Sequence, residues 1–401
     1  MANSLITPLW VTKEVARILV NNLKFAANVN RSYDDQYVHD GAKVGYTVNA
    51  RLPQRFLTTK GQALQVQGIQ DTVVPITLTD QANVGMSFST ASLTMEVDDY
   101  RSRYIKPGAE QLANTVDYDG LQRCSKEVAS EVGTLGTAPS TQQTVNQLYL
   151  NAGVALTQLA CPQDPRVLVV SPAMMANLVG LNLNLFNPAN QISDSFRKGQ
   201  FAANVLGFEE MYQDQNTWRR TAGTYTAAGT VSGAGQTGSV LTITGFTGNL
   251  AAGDIIRLQN VNWVNPQNYS DTGIQAGFTL LAPITTGATT VTVSPAIVAT
   301  GPLQNVTQSP GNGATITVDA TTGAVGDIGL GFHSDAFALV MADLDMPQGV
   351  WAAERVRSKE LGISIRFVKA YDIFSDQSPA RMDILYGWKT IRQELAVRIA
   401  S

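Results

Sequence analysis

The residues best suited to chemistry in this 401-residue chain are its two histidines, His39 and His333. His39 ends the segment SYDDQYVH and lies close in sequence to Asp34, Asp35 and Asp40. Carboxylate oxygens and an imidazole nitrogen can together bind a divalent cation. Acidic residues are also common in turns that face solvent, and the pattern favours that interpretation. We therefore predict no metal site here.

His333 is followed by Ser334 and Asp335, so the three residue types of a hydrolytic triad are adjacent. Neighbours on a strand point to opposite faces, so consecutive residues cannot converge on one substrate. The motifs HExxH, CxxC and GxSxG and the Walker A sequence are absent. The sequence therefore predicts no catalytic residue, no cofactor site and no enzymatic activity.

The two cysteines and one lysine offer the remaining reactive groups. Cys124 lies on the apolar face of a predicted helix, where it would be a core residue. Without CxxC spacing, Cys124 and Cys161 predict no disulfide framework, and they fit a reducing cytoplasm. Lys60 lies in a polar segment and could be a crosslinking lysine. A solubilising charge on an exposed edge is the simpler interpretation.

Charge is scarce along the chain. Only 15% of residues are charged, 44% are hydrophobic, and the formal net charge is −4. No block of Lys and Arg occurs, so the chain lacks the electrostatic pattern of direct nucleic-acid binding. We expect neither a signal peptide nor a membrane helix, because no run reaches about 18 apolar residues. So few charges fit a surface that is largely covered by neighbours.

Two segments near the start of the chain predict extensions that need a second surface. Residues 13–27 place Leu19 and Leu23 on one stripe of an amphipathic helix, which could pack on its own domain or elsewhere. Alternating apolar residues within 43–95 predict long antiparallel strands. These strands flank a polar segment that contains Arg51, Arg55 and Lys60, so we predict an extended hairpin arm. A two-stranded arm is marginal in water without support from a neighbour.

The central part of the chain predicts a long helix and an α/β block. Within residues 96–140, apolar residues recur at helical spacing from Ala109 to Val128. In the block that follows, a helix precedes the buried strand RVLVVS. Ser171 then caps a helix that begins at Pro172. A further helix within ISDSFRKGQFAANV leads to a strand around 209–212.

Composition changes sharply at Thr221. Between residues 221 and 320 the charged residues are only Asp254, Arg257, Asp271 and Asp319. The strand-like runs SVLTITGF, DIIRLQNV, GFTLLAP and ATTVTVSPAIV alternate with turn residues, which predicts a small β-barrel or sandwich. The earlier pattern resumes at GFHSDAFALV, and ISIRF and ILYGW predict further strands. The chain therefore leaves an α/β body, forms a β-domain and returns.

The order of several strings resembles one known family. VLGFEEMYQDQN, GDIIRLQNVNWVNPQN, GFHSDAFALV, ISIRFVKAYDI and RMDILYGWKTIRQELAVRI are similar to segments of coat proteins of short-tailed bacteriophages of the P22 type. The resemblance covers nearly the whole chain and implies an α+β Hong Kong 97-type capsid fold. The implied parts are an N-terminal arm (1–42), an E-loop with P-domain strands (43–95), the P-domain spine helix (96–140), an A-domain (141–221), an inserted β-barrel I-domain (222–330), and a return to A-domain and P-domain strands (331–401).

The resemblance also implies a function. The chain would be a major capsid protein that self-assembles through hexamers and pentamers into an icosahedral shell around double-stranded phage DNA, without sequence-specific DNA binding. Its other partners would be a scaffolding protein and a portal, with no membrane. It would assemble in the host cytoplasm and end in the virion capsid. The expected assembly contacts are Leu19, Leu23, Arg51, Arg55 and Lys60.

The residues themselves leave a second function class open, namely a carbohydrate-binding protein or an enzyme that carries a β-module. Electron micrographs separate the two classes. A capsid subunit forms shells or capsomers, whereas the alternative forms small monodisperse particles.

Overall fold

The computed structural model of the chain describes residues 23–32, 47–58, 60–62, 66–68, 72–89, 104–182, 206–357 and 364–401. They form two compact units. The first unit draws on the ranges 1–50, 73–120 and 338–389, and the second on 51–72, 121–337 and 390–401. The segment 51–72 of the predicted arm therefore groups with the second unit, while its flanking strands group with the first.

The described residues contain three α-helices, which are α1 (Lys106–Glu127), α2 (Gln142–Gln158) and α3 (Pro172–Asn182). The strands, in chain order, are β1 (Thr47–Arg51), β2 (Val73–Thr77), β3 (Asp80–Ser89), β4 (Glu131–Gly133), β5 (Arg166–Val170), β6 (Glu210–Gln213), β7 (Trp218–Thr221), β8 (Thr224–Ala227), β9 (Thr230–Val231), β10 (Gly238–Thr244), β11 (Thr247–Asn249), β12 (Ile255–Val264), β13 (Asp271–Leu280), β14 (Thr290–Ile297), β15 (Ile316–Val318), β16 (Val325–His333), β17 (Phe337–Ala342), β18 (Ala352–Arg357), β19 (Ser364–Lys369), β20 (Gln377–Thr390) and β21 (Ala396–Ala400).

The first unit is built on a five-stranded sheet. Four of its strands have the order β17-β20-β19-β18, and the fifth, β3, pairs with β20 along the edge opposite to β19. Alternate side chains of β20 are buried, including Met382, Ile384 and Tyr386, as the two-residue period predicts. Helix α1 lies close to this face, because the indole Nε1 of Trp388 donates a hydrogen bond of 3.2 Å to the carbonyl oxygen of Val116. Strands β1 and β2 pair as the base of the predicted hairpin arm.

The predicted spine segment 96–140 is helical over a shorter stretch. Helix α1 has 22 residues and ends at Glu127, and residues 96–103 lie outside the described residues. Beyond the helix, β4 pairs in parallel with β21, so that Glu131 lies opposite Arg398. The backbone donors and acceptors of residues 131–133 serve this sheet, which prevents the helix from continuing.

The described end of the predicted N-terminal helix is a turn. The backbone N–H groups of Lys24, Phe25 and Ala26 are donated to the carboxylate of Asp117, at 2.7, 3.3 and 3.0 Å. Donors used in this way cannot bond to the carbonyl groups four residues earlier, as a helix requires. Residues 23–27 are therefore non-helical, which corrects that part of the prediction, and residues 13–22 lie outside the described residues.

The body of the second unit confirms the predicted α/β block. Its sheet has the order β4-β21-β16-β5-β6, with β7 also paired to β16, and all five residues of β5 are buried. The backbone N–H of Met174 donates to the hydroxyl of Ser171 at 3.2 Å, which confirms the predicted cap of α3. The predicted strand near 209–212 is β6. The helix predicted within ISDSFRKGQFAANV lies outside the described residues.

The charge-poor segment forms a barrel, one of the two architectures that the sequence predicted. Six strands have the order β15-β12-β13-β14-β10-β9. The two edge strands meet through a bridge between Thr230 and Thr315 and a 3.0 Å hydrogen bond from Val231 N–H to the Ala314 carbonyl. Closure leaves few free strand edges, which protects a segment with little charge from edge-to-edge aggregation. Strands β8 and β11 form a small separate antiparallel sheet of two strands.

The barrel segment is inserted between two neighbouring strands of the body sheet. Its incoming strand β7 pairs with its outgoing strand β16, with Thr221 opposite Val325. The two ends of the charge-poor segment are therefore adjacent, as an inserted domain requires. Strand β16 also pairs with β5 and β21, so residues 325–330 belong to the body sheet.

Candidate functional site

A cluster of buried charges lies where the barrel meets the body. Arg220 Nη1 donates hydrogen bonds to both carboxylate oxygens of Glu131, at 3.0 and 2.8 Å. Its Nε and Nη2 atoms both donate to Oδ1 of Asp254, at 3.2 and 3.1 Å. Arg398 forms an ion pair with Glu131, with 3.3 Å between Nε and Oε2. All four side chains are at most 1% exposed.

These charges come from separate parts of the chain. Glu131 lies on β4, Arg220 on β7 and Arg398 on β21, whereas Asp254 lies inside the charge-poor segment just before β12. The second carboxylate oxygen of Asp254 accepts N–H groups of the same segment, from Gly223 at 3.0 Å and Ala251 at 2.9 Å. The cluster therefore joins the first residues of the barrel to strands of the body.

A second ion pair extends this junction. Arg257 on β12 pairs with Asp319, which follows β15, through a short contact between Nε and Oδ1. Nη2 of Arg257 also donates to the backbone carbonyl of Glu131 at 3.2 Å. Three of the four charges in the charge-poor segment thus lie at the junction. The fourth, Asp271, instead accepts hydrogen bonds from Gly273 and Asn262, which lower its pKa.

The buried charges at the junction are suited to fixing the barrel on the body sheet rather than to transferring protons. Burial lowers the pKa of the Arg398 guanidinium to about 10, while Glu131 opposes that shift. A guanidinium with this pKa stays charged at neutral pH. The Arg398 guanidinium carbon also lies 5.7 Å from the ring centroid of Trp218. Removing one partner of such a cluster leaves an uncompensated buried charge, which costs about 3–5 kcal/mol.

The candidate arm residues lie in different environments. Arg51 and Lys60 are exposed. Arg55 pairs within its own chain, with 2.8 Å between its Nη2 atom and Oε1 of Glu394, which also accepts from Arg392 Nε at 3.0 Å. Arg55 was predicted to contact a neighbouring subunit, and here it contacts the C-terminal segment of the same unit.

An apolar groove lies beside this ion pair at the base of the arm. It has a volume of about 480 Å³ and is lined by Leu52, Arg55, Trp263, Leu303, Ile391 and Arg392, among others. Further along the arm, Phe56 is 57% exposed and Val66 is 87% exposed. Apolar side chains that solvent contacts to this extent are available to a second molecule.

The two N-terminal candidates differ. Leu19 lies outside the described residues. Leu23 is 4% exposed and Phe25 is fully buried, stacked against Trp388 with ring centroids 5.0 Å apart. Leu23 is thus a core residue of its own unit and not a free contact surface, which corrects its predicted role.

The residues first considered for chemistry do not form a reactive site in the part of the chain that is described. His333 is buried, its Nδ1 accepts the backbone N–H of Asp335 at 3.2 Å, and its Nε2 lies 3.3 Å from the carbonyl oxygen of Asp164. Ser334 begins a 3₁₀ turn rather than continuing the strand. No cluster of potential metal ligands is found among the described residues, and the His39 turn lies outside them. Cys124 and Cys161 are both buried.

Two further features concern a glycine-rich turn and the hydropathy of the helices. The glycine spacing of Gly233, Gly235 and Gly238 matches the dinucleotide-binding pattern GxGxxG. Gly233 and Gly235 lie in the turn after β9 and Gly238 begins β10, so a strand follows the pattern instead of the helix that would bind a phosphate. No helix in the described part of the chain combines the length and the hydropathy needed to cross a bilayer.

Comparison with protein families decides what this architecture is. The model of a family described as P22 coat protein, gene protein 5, matches residues 9–399. The chain belongs to the P22 coat protein family. It is therefore a phage major capsid protein that forms an icosahedral shell and is part of the virion capsid, and its family is structural rather than enzymatic. Membership confirms the α+β Hong Kong 97-type capsid fold that the resemblance implied, and the six-stranded barrel is consistent with an inserted domain.

Solved structures with similar folds come from several phages, at low sequence identity. A structure from Mycobacterium phage Che8 is 15% identical, with a TM-score of 0.47, and the match covers 99% of this chain and 98% of that one. The capsid of cyanophage P-SCSP1u is 14% identical, with a TM-score of 0.45 and coverage of 89% and 84%. The mature capsid of bacteriophage PhiM1 is 11% identical, with a TM-score of 0.47 and coverage of 94% and 87%. A comparison with curated proteins found no match.

Proposed function

We propose that this coat protein builds its shell by placing the arm of each subunit over an adjacent subunit. The observation that carries the proposal is the exposure of Phe56 and Val66 on the arm. Exposed apolar side chains of the arm gain free energy when a neighbour covers them. The basic residues Arg51 and Lys60, which are also exposed, would contact the same neighbour.

The proposal includes hexamers and pentamers as the repeating units of the shell. Scaffolding protein and portal would be its partners during assembly in the host cytoplasm. Double-stranded DNA would be the enclosed cargo, without sequence-specific contacts. The mild net charge of −4 and the lack of a Lys/Arg block support enclosure rather than tight binding, because a basic inner surface would hold the packaged DNA.

The domain assignment is part of the proposal. Residues 1–42 form the N-terminal arm, 43–95 the E-loop with strands of the P-domain, and 96–140 the segment of the spine helix. Residues 141–221 form the A-domain, and 325–401, a segment predicted to begin at 331, return to both domains. We place the end of the inserted domain at residue 324 rather than 330, because β16 pairs with three strands of the body sheet.

Deletion of Arg55–Gln62 tests the role of the arm. The expected result is a soluble, folded subunit that forms no normal shells in negative-stain images. Substitution of Phe56 by Ser should lower the shell yield. Substitution of Val240 by Ser is the matched control, because Val240 lies on the barrel and is equally exposed, at 57%. Normal shells from the deletion variant would contradict the proposal.

The same particles test the proposals on cargo and partners. DNA recovered from complete particles after nuclease treatment should be double-stranded and should show no preferred sequence at fixed positions. Expression of the coat protein with and without its scaffolding protein should change the uniformity of particle size. Particles that assemble with the same uniform size and without cargo under both conditions would contradict these parts of the proposal.

A further inference from the structure

The turn between β19 and β20 carries the most exposed aromatic side chain in the described residues. We call residues Tyr371–Asp376 the tip. Phe374 is 98% exposed, Ile373 is 75% exposed and Tyr371 is 48% exposed. Such a cluster on the surface of a soluble subunit is a marker of an interaction site, because exposed apolar area of this kind is unfavourable in water.

The tip is held in one conformation by its own hydrogen bonds. The carboxylate of Asp372 accepts the backbone N–H of Phe374 at 3.0 Å and the hydroxyl of Ser375 at 2.5 Å. These bonds, the one from Ser375 first, lower the pKa of Asp372 and keep it ionised at neutral pH. The hydroxyl of Tyr371 donates to Asp376 at 2.9 Å. A preformed tip loses little conformational freedom when it binds.

Charge argues against contact between two tips. Each tip carries the carboxylates of Asp372 and Asp376, and bringing like charges together at a desolvated contact is unfavourable. The tip instead fits a surface that has apolar walls and a positive charge at its rim.

The same sheet carries such a surface on its outer face. We call it the sheet groove. It has a volume of about 640 Å³, and its lining includes Met86, Val368, Pro379, Arg366, Arg381 and Asp383. Arg366 and Arg381 both pair with Asp383, so two positive charges face one negative charge. The side chain of Arg381 is 48% exposed and can meet a further carboxylate.

We propose that the tip of one copy of this chain inserts into the sheet groove of a second copy, with Phe374 against Val368 and the tip carboxylates near Arg381. The contact is head-to-tail, because tip and groove are different surfaces of one sheet. Every subunit therefore offers one of each, so the contact can repeat around a closed ring of subunits, which suits a protein that assembles a shell.

Co-assembly of two variants, each with one introduced cysteine, tests the contact. One full-length population carries Phe374→Cys, and an equal amount of the other carries Val368→Cys. They are assembled together and oxidised mildly. A disulfide between the two variants needs Cα atoms within about 7 Å and can form only between copies. The native Cys124 and Cys161 are buried, and burial raises the pKa of Cys161, so both thiols contribute little background.

The expected result is a covalent dimer in assembled particles at about ten times the yield of either variant alone. Unassembled subunits should give no dimer. A control variant, Leu303→Cys, places a thiol at another half-exposed apolar site, on the barrel, and should not crosslink with Phe374→Cys.

Three results would overturn the proposal. The first is an equal or higher yield with Leu303→Cys. The second is efficient crosslinking of Phe374→Cys with itself, which would show a contact between tips. The third is normal assembly with no dimer between the Phe374→Cys and Val368→Cys copies.

If the cysteine variants fail to assemble, Phe374→Ser provides a second measurement, since it should lower shell yield while leaving subunit unfolding unchanged. Undiminished shell yield from Phe374→Ser would contradict the proposal.

Discussion

Arg220 and Asp254 form a buried ion pair, with 3.1 Å between Nη2 and Oδ1, and each side chain is 1% exposed. Arg220 lies on the last body strand before the barrel, and Asp254 lies inside the barrel segment. The pair therefore fixes where the barrel starts relative to the body sheet. A segment with almost no charge places three of its four charges at this junction.

Substitution of Arg220 by Gln should lower the free energy of unfolding by about 3–5 kcal/mol, because Glu131 and Asp254 would remain buried without their shared partner. Chemical denaturation of the unassembled full-length subunit measures this change. Arg219→Gln is the matched control, since Arg219 is exposed and its loss should change stability by no more than about 0.5 kcal/mol. Equal losses for the two variants would contradict the role of the junction.

Substitution of Gly120 by Ala should destabilise the subunit. A Cβ atom at this position in α1 would lie 2.5 Å from Cζ2 of Trp388, and the indole is held by its hydrogen bond to Val116. Overpacking of this kind costs about 1–3 kcal/mol. Gly180→Ala is the control, because no atom lies within 4 Å of its added Cβ, and better helix propensity should stabilise α3 by about 0.5–1 kcal/mol. Thermal unfolding that shifts upward for both variants would contradict this expectation.

A fragment of residues 222–324 should fold without the rest of the chain. It retains the closed strand order of the barrel, the Arg257–Asp319 pair and a continuous buried core around Leu241, Leu258 and Phe278. The fragment should show dispersed amide resonances and one cooperative thermal transition. A collapsed spectrum without a transition would mean that the barrel depends on the body for its fold.

Leu19 and Leu23, the two leucines predicted as assembly contacts, should respond differently to substitution. Leu23→Ala removes a buried side chain and should lower the free energy of unfolding by about 2 kcal/mol or more. Leu19→Ser, at a predicted assembly contact, should leave subunit unfolding unchanged and lower the yield of correct shells. Denaturation and negative-stain counts measure the two effects. Loss of solubility in Leu19→Ser before assembly would assign Leu19 to the core instead.

The sequence by itself determined which segments form strands and helices where local patterns are strong. Strand β5, the cap at Ser171 and the strand runs of the barrel follow from apolar periodicity and capping residues, and these report local backbone geometry. The scarcity of charge between residues 221 and 320 likewise predicts a separate β-domain from composition alone. Each of these sequence patterns predicts the structure of the same residues or of residues a few positions away.

The tertiary structure decided which distant residues meet. Arg220 pairs with Glu131 because β7 and β4 belong to one sheet, and Leu23 is buried because Asp117 on α1 accepts the backbone donors that follow it. The helix at Gly120 must leave room for Trp388, a residue far along the chain. Local periodicity reports that one side of an element is buried. The partner on that side is selected by long-range packing and electrostatics, which act only once the strands and helices are assembled.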